Sequence, residues 1–288
     1  MLNCLSKTQT RFVRKLNDIA AHVSIIQAST GTFRHFTVDQ PVIIRVRRGW
    51  KRAITNELSL ETCSGELIFL PQGLECTIVN AVDSHGIYHC DAYALSHDLL
   101  REFARPELSA PVQPSKVHSD PDFLLALDRT EAAIHADRSD QEQLNRHIIG
   151  ELILRLQSMG IRVGAHGEPS LVQRIRTIVK QDPSSDWSSD ALAARLAISP
   201  ATLRRKLAAQ ATNLTDILAD VRMTAALGLL QSTDMPINRI ALDVGYESAS
   251  KFAARFRNRF GLSPHEIRVP QGTIEQSGAE IERSGAAL

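Results

Sequence analysis

The chain has 288 residues, 43% of them apolar and 23% charged, enough for two globular domains with their own cores. The net charge of +1 is uneven: residues 1–170 carry −2, residues 171–270 carry +5 and residues 271–288 carry −2. A confined, modest basic excess argues against a structural DNA-bending protein. It points to an anionic partner for the last folded third, the competing reading being a helical domain whose charges only solvate it.

No apolar run approaches the ~20 residues that span a bilayer. The start of the chain, MLNCLSKTQTRFVRKL, lacks the apolar core of a signal peptide, so a cytoplasmic protein with no membrane contact is expected. Cys4, Cys63, Cys76 and Cys90 form no C-x-x-C pair, so they read as small buried side chains in a reducing compartment. The rival reading is a thiol or metal sensor built from Cys63, Cys76, Cys90, His85 or His89.

From about Ala20 to Tyr93 the texture is strand-like. PVIIRVRRGW, ITNELSLETC, GELIFLPQG and LECTIVNAV are short apolar or alternating runs, punctuated by Gly49, Gly65, Pro71, Gly73 and Gly86. Such spacing predicts an all-β barrel or sandwich. In VIIRVRRGW, Ile44, Val46 and Arg48 share one face, and Ile43, Arg45 and Arg47 the other. HDLLREF reads as a short helix and ELSAPVQPSKV as a proline-broken connection.

Two helices are predicted between Asp120 and Met159. Leu144, Ile148, Leu152 and Leu156 recur every fourth residue and form one stripe, widened by Ile149 and Ile153. The stripe is a candidate self-association face, and packing against the β domain is the alternative. GIRVGAHGEPS, residues 160–170, is the linker.

The remainder is helical. SSDALAARLAISPATLRRKLAAQ holds two helices and a tight turn, with Ser189 or Asp190 as the first cap. Ser199 caps the second helix, with Pro200 at its first position. This is a helix-turn-helix outline. It returns in PINRIALDVGYESASKFAARF, where Gly245 supplies the turn and Ser248 the cap. An amphipathic stretch with Ile217, Leu218, Val221, Ala225 and Leu229 joins the units, and Ser263 with Glu266 forms a capping box.

Turning each second helix by ~100° per residue separates its faces. Leu203 and Leu207 define the buried side of the first, leaving Ala201 and Arg205 opposite and Arg204 beside them. Phe252 and Phe256 define it in the second, leaving Ser250, Ala254 and Arg257 opposite and Lys251 beside them. An exposed face of this kind fits the major groove, where Arg and Lys read guanine or hold phosphate.

IALDVGYESASKFAARFRNRFGLSP resembles the signature of the AraC/XylS family of bacterial transcription regulators. The resemblance rests on Ile240–Ala241, Gly245–Tyr246, Ser250, Phe252, Phe256–Arg257, Gly261, Ser263 and Pro264, and extends upstream through SPATLRRKL, Arg222, Ala226 and Leu229–Leu230. It implies a DNA-binding domain of about seven helices over residues 171–270, contacting double-stranded DNA through Ala201, Thr202, Arg204, Arg205, Ala249, Ser250, Lys251, Ala254 and Arg257. Two positions depart from the family pattern. Ala254 stands where an arginine is common, and Ile267 replaces the usual aromatic.

The expected architecture is a two-domain α+β chain. A cupin-like β-barrel or sandwich followed by helices occupies residues 1–159, and residues 271–288 form a disordered tail. The front half resembles the regulatory domain of a family branch that includes virulence and acid-stress regulators. That resemblance implies a homodimer, contact with RNA polymerase, an activating role, and a small effector such as a fatty acid held in the barrel. The alternative is a front domain that serves only as a dimerisation or protein-partner platform. The sequence holds no Gly-rich phosphate loop, no G-x-S-x-G elbow and no His-x-His pair. No catalysis, metal or cofactor is therefore expected.

Overall fold

The computed structural model describes residues 12–103, 113–136, 139–161, 163 and 170–268. Cys4, most of the linker and the tail lie outside the described residues. Ten strands form two sheets. The six-stranded sheet runs in the order β1 (Phe12–Leu16), β2 (Ala20–Gln27), β9 (Tyr88–Leu95), β4 (Val42–Arg48), β7 (Leu67–Leu70), β10 (Ser115–Val117). The four-stranded sheet runs β3 (Gly31–Thr37), β8 (Glu75–Ala81), β5 (Trp50–Ile54), β6 (Ser59–Cys63). The two sheets are separate, so of the expected alternatives the front domain is a sandwich and not a closed barrel.

Alternation along β4 explains the layering. Ile44 and Val46 point between the sheets, where Phe33, Ile68, Ile78, Tyr88 and Cys90 also pack. Ile43 points outward, yet it is fully buried, because α1 (His97–Phe103), α2 (Pro121–Ala136) and α3 (Glu142–Ser158) cover that face. Both faces of the strand are dry, so its arginines do not simply reach solvent. Arg47 pairs with Asp91 at 2.6 Å and Arg48 with Asp83 at 2.7 Å.

This helical layer narrows what the candidate self-association stripe offers a second copy. Leu152 and Leu156 are fully buried in the core that α3 shares with α1, α2 and the outer face of the sheet. Ile148 is partly buried, and Leu144 alone of the four stays 54% exposed. The stripe is the hydrophobic face that docks α3, and an apolar period cannot tell docking to a sheet from docking to another chain.

The helical domain comprises α4 (Leu171–Gln181), α5 (Ser189–Arg195), α6 (Pro200–Ala208), α7 (Leu214–Ser232), α8 (Ile237–Asp243), α9 (Ala249–Phe260) and α10 (Pro264–Ile267). Ser199 caps α6, Ser248 caps α9, and Ser263 with Glu266 closes a capping box on α10. The cap of α5 is Ser188, not Ser189 or Asp190: its hydroxyl accepts from Ala191 N–H at 3.1 Å.

The two inter-helix turns are built alike. Each needs a left-handed residue just after the first helix, filled by Ala197 (φ 56°) in the first unit and Gly245 (φ 83°) in the second. A Cβ on Gly245 would stand 3.0 Å from the Pro183 carbonyl and 3.1 Å from the Arg222 guanidinium. Gly245→Ala is therefore expected to cost about 1–3 kcal/mol, while Ala197→Gly is neutral or gains up to ~1 kcal/mol. Urea denaturation of both variants checks this, and equal effects at the two turns would contradict it.

Candidate nucleic-acid interface

The nine sequence-derived positions all lie at the surface. On α6, Leu203 and Leu207 are buried, while Ala201, Arg204 and Arg205 are exposed. Thr202 is partly buried, and its hydroxyl lies 2.9 Å from that of Ser199, so it serves the helix start. On α9, Phe252 and Phe256 are fully buried and Phe260 is 4% exposed. Ala249, Ser250, Lys251, Ala254 and Arg257 are exposed. Ser250 shares a 2.8 Å hydrogen bond with the capping hydroxyl of Ser248.

The rings of α9 anchor the helix. Phe252 and Phe256 lie 5.7 Å apart, Phe256 and Phe260 4.7 Å, and Phe260 meets Phe33 of β3 edge-on at 5.5 Å. The third contact ties the second unit to the sandwich. Arg255 and Arg259 turn toward a cleft of about 1230 Å³ between the sandwich and the helical domain. Arg255 is exposed and about 100° round the helix from Ala254, so it does not present its guanidinium at the Ala254 position.

Sequence reading missed the buttresses behind these helices. Asp220 of α7 accepts from Arg176 of α4 and, at 2.6 Å, from Arg259 of α9. Arg259 also donates to the backbone carbonyl of Arg34 in the sandwich. Arg222 donates to the carbonyls of Pro183 and Ser185, at 2.9 and 3.0 Å, and fixes the turn before α5. The connector α7 has 19 residues, about 28 Å of helix. Two arginines meeting one aspartate tie α4, α7 and α9 together.

A second missed feature lies inside the sandwich. Lys51 is 4% exposed, donates to Asn80 Oδ1 at 2.5 Å and sits 5.4 Å from the Tyr88 ring. Burial pushes its pKa down. Asn80 donates to Gln27 at 3.3 Å, and Gln231 of α7 donates to the same Gln27 oxygen at 2.8 Å. A polar chain therefore runs from the middle of the sandwich to the connector helix.

Residues 192–269 match a helix-turn-helix domain family. The matched stretch runs from within α5 to just past α10 and so covers both helix-turn-helix units. The chain is 31% identical over 120 residues to the HTH-type transcriptional regulator GadX of Escherichia coli O6:H1, covering 42% of each chain. It is 30% identical over 157 residues to the HTH-type transcriptional regulator YdeO of Shigella flexneri, covering 52% of this chain and 61% of that one. The matches thus span about half the length of these curated relatives. Over nearly the whole chain, the fold is similar to that of ToxT from Vibrio cholerae, solved with an unsaturated fatty acid bound. The TM-score is 0.62 at 13% identity, covering 88% of this chain and 96% of that one. That likeness is one of fold, and it takes in the sandwich as well as the helical domain.

Proposed function

We propose that the protein is a sequence-specific, double-stranded DNA-binding transcription regulator that uses α6 and α9 as its two reading helices. The observation that carries the reading is the repeated unit: a capped helix with aliphatic or aromatic residues buried on one side and exposed arginine or lysine on the other. The curated names of its relatives support it. Binding selection from random duplex DNA by the full chain tests it. Enrichment of a two-part site supports the proposal, and recovery of unselected sequence overturns it.

The same proposal includes a cytoplasmic location, where its DNA target lies. No helix among the described residues is long and apolar enough to cross a membrane. An activating role through contact with RNA polymerase rests on the family resemblance. For a homodimer, the apolar surface left on α3 is Leu144 with Ile148 beside it, since Leu152 and Leu156 are occupied within the chain.

An effector reading is favoured by Lys51. A buried lysine whose hydrogen-bond partner is a neutral amide is poorly compensated, and a carboxylate is its natural partner. An anionic effector with a long apolar tail, such as a fatty acid, would replace Asn80 at Lys51 and disturb the chain to Gln231 and α7. The packed sandwich interior favours the platform alternative, so the two make different predictions. If Lys51 receives the effector, a fatty acid raises the melting temperature of the wild type but not of Lys51→Met. The variant also removes a pH effect. Lys51 has a lowered pKa in the folded state, so between that pKa and the ordinary lysine value the unfolded chain binds more protons, and stability rises with pH. Lys51→Met should lose that alkaline rise. A fatty acid shift that persists in the variant leaves the platform reading.

A further inference from the structure

We propose that His22, Glu131 and His135 form a binding site for a zinc-class divalent transition metal ion, which staples α2 to β2. One ligand atom from each of the three lies within 4.8 Å of the other two. Glu131 and His135 are four residues apart on α2 and share one helix face. His22 comes from β2, 113 positions before His135 in the chain, and its Nδ1 lies 2.9 Å from His135 Nε2. Two imidazoles and one carboxylate are a borderline donor set. It suits Zn²⁺ with water in the fourth position, and it is the wrong set for Mg²⁺ or Ca²⁺.

The surroundings are those of a prepared site. His22 is 1% exposed, and its other nitrogen, Nε2, lies 3.3 Å from Asp91 Oδ1. Asp91 stands beside Nε2, and Nδ1 is the ring nitrogen that faces His135, the one an ion would take. Glu131 is oriented by Tyr93, whose hydroxyl donates to Oε2 at 2.7 Å. The Tyr93 ring stacks on His22 at 4.4 Å, and Phe12 meets both imidazoles edge-on, at 4.9 and 5.2 Å. The aromatic rim limits water, and the exposed His135 leaves an entry. An ion would take the place of the proton between the two ring nitrogens. That proton moves to His135 Nδ1, and the rings must spread by about 0.4 Å and turn so that both lone pairs converge on the ion, for tetrahedral Zn–N bonds of ~2.0–2.1 Å.

The test uses the tag-free full chain, stripped by a chelator and titrated with zinc in competition with a chromophoric chelator. One equivalent should bind and raise the melting temperature, and cobalt(II) in its place should show the visible bands of a four-coordinate site. Glu131→Gln and His135→Gln lie at the surface of α2, and their folding is checked by circular dichroism. Each should weaken zinc binding by more than the ~10–100-fold that loss of an outer partner costs, and each should abolish the thermal shift. His85→Gln, an exposed histidine elsewhere, should bind as the wild type does. No zinc bound at micromolar free ion, or equal affinity in the wild type and both α2 variants, would overturn the site.

Discussion

Phe256→Ala is expected to destabilise the chain by about 3–5 kcal/mol, a large part of the total stability of an ordinary domain. The ring is fully buried between Phe252 and Phe260. Its core also holds Met223, Ala226, Leu227 and Leu230 of α7, Ile240 and Ala241 of α8, and side chains of the sandwich. Truncation removes the transfer energy of the ring and leaves a cavity that three helices cannot close without shifting. Because the same ring sets the height and rotation of α9, binding to the second half of the DNA site should fail before the fold does. Urea denaturation and DNA binding at sub-denaturing temperature read the two effects separately. A loss below ~1 kcal/mol would mean that α9 is not held by its phenylalanines.

The two half-sites should be read unequally. Under α6, Arg204 and Arg205 are exposed beside Ala201, and each can make a charged, directional contact with a base edge or phosphate. Under α9 the central exposed position is Ala254, which offers only a methyl group, and Arg255 lies about 100° round the helix at the rim of the cleft. Base substitutions under α6 are therefore expected to cost about 1–3 kcal/mol each, and those under α9 distinctly less. Arg205→Ala should cost about 1–3 kcal/mol on the selected site and little on random DNA if it reads a base, or a similar amount on both if it holds phosphate. Ala254→Arg should add a preference, for guanine, at one position of the second half-site. Selection over randomised half-sites with wild type and variant decides it. Equal information in both wild-type halves would refute the asymmetry.

The helical domain was legible in the sequence because its signals are local. Ser199–Pro200, Gly245, Ser248 and the Ser263–Glu266 box each fix a helix end within four residues, and Phe252 and Phe256 mark the buried face by period alone. The sandwich was legible as strands but not as an arrangement. β1 and β10 are short strands at the edges of the six-stranded sheet, and β10 lies within a stretch that reads as a proline-broken connection. The order β2-β9-β4-β7 depends on pairings far apart in the chain. Nothing in WKRAI marks Lys51 as inward rather than Arg52, since alternation gives two faces and not which of them is dry. The same ambiguity turned the α3 stripe toward self-association. His22, Glu131 and His135 have no shared local pattern beyond the i, i+4 pair on α2, so only the packing of α2 on β2 brings them together.

The most direct measurement of the central claim is salt-titrated DNA binding by the fragment from Glu168 to the C-terminus, beside the full chain. Both reading helices, their connector and the Asp220 bridge between α4 and α9 lie within it. The fragment should fold and bind the selected site unaided. Its affinity should fall steeply with salt, by about one power of the salt concentration for each phosphate contact made. A fragment that is folded by circular dichroism yet binds no DNA at low salt would contradict the account.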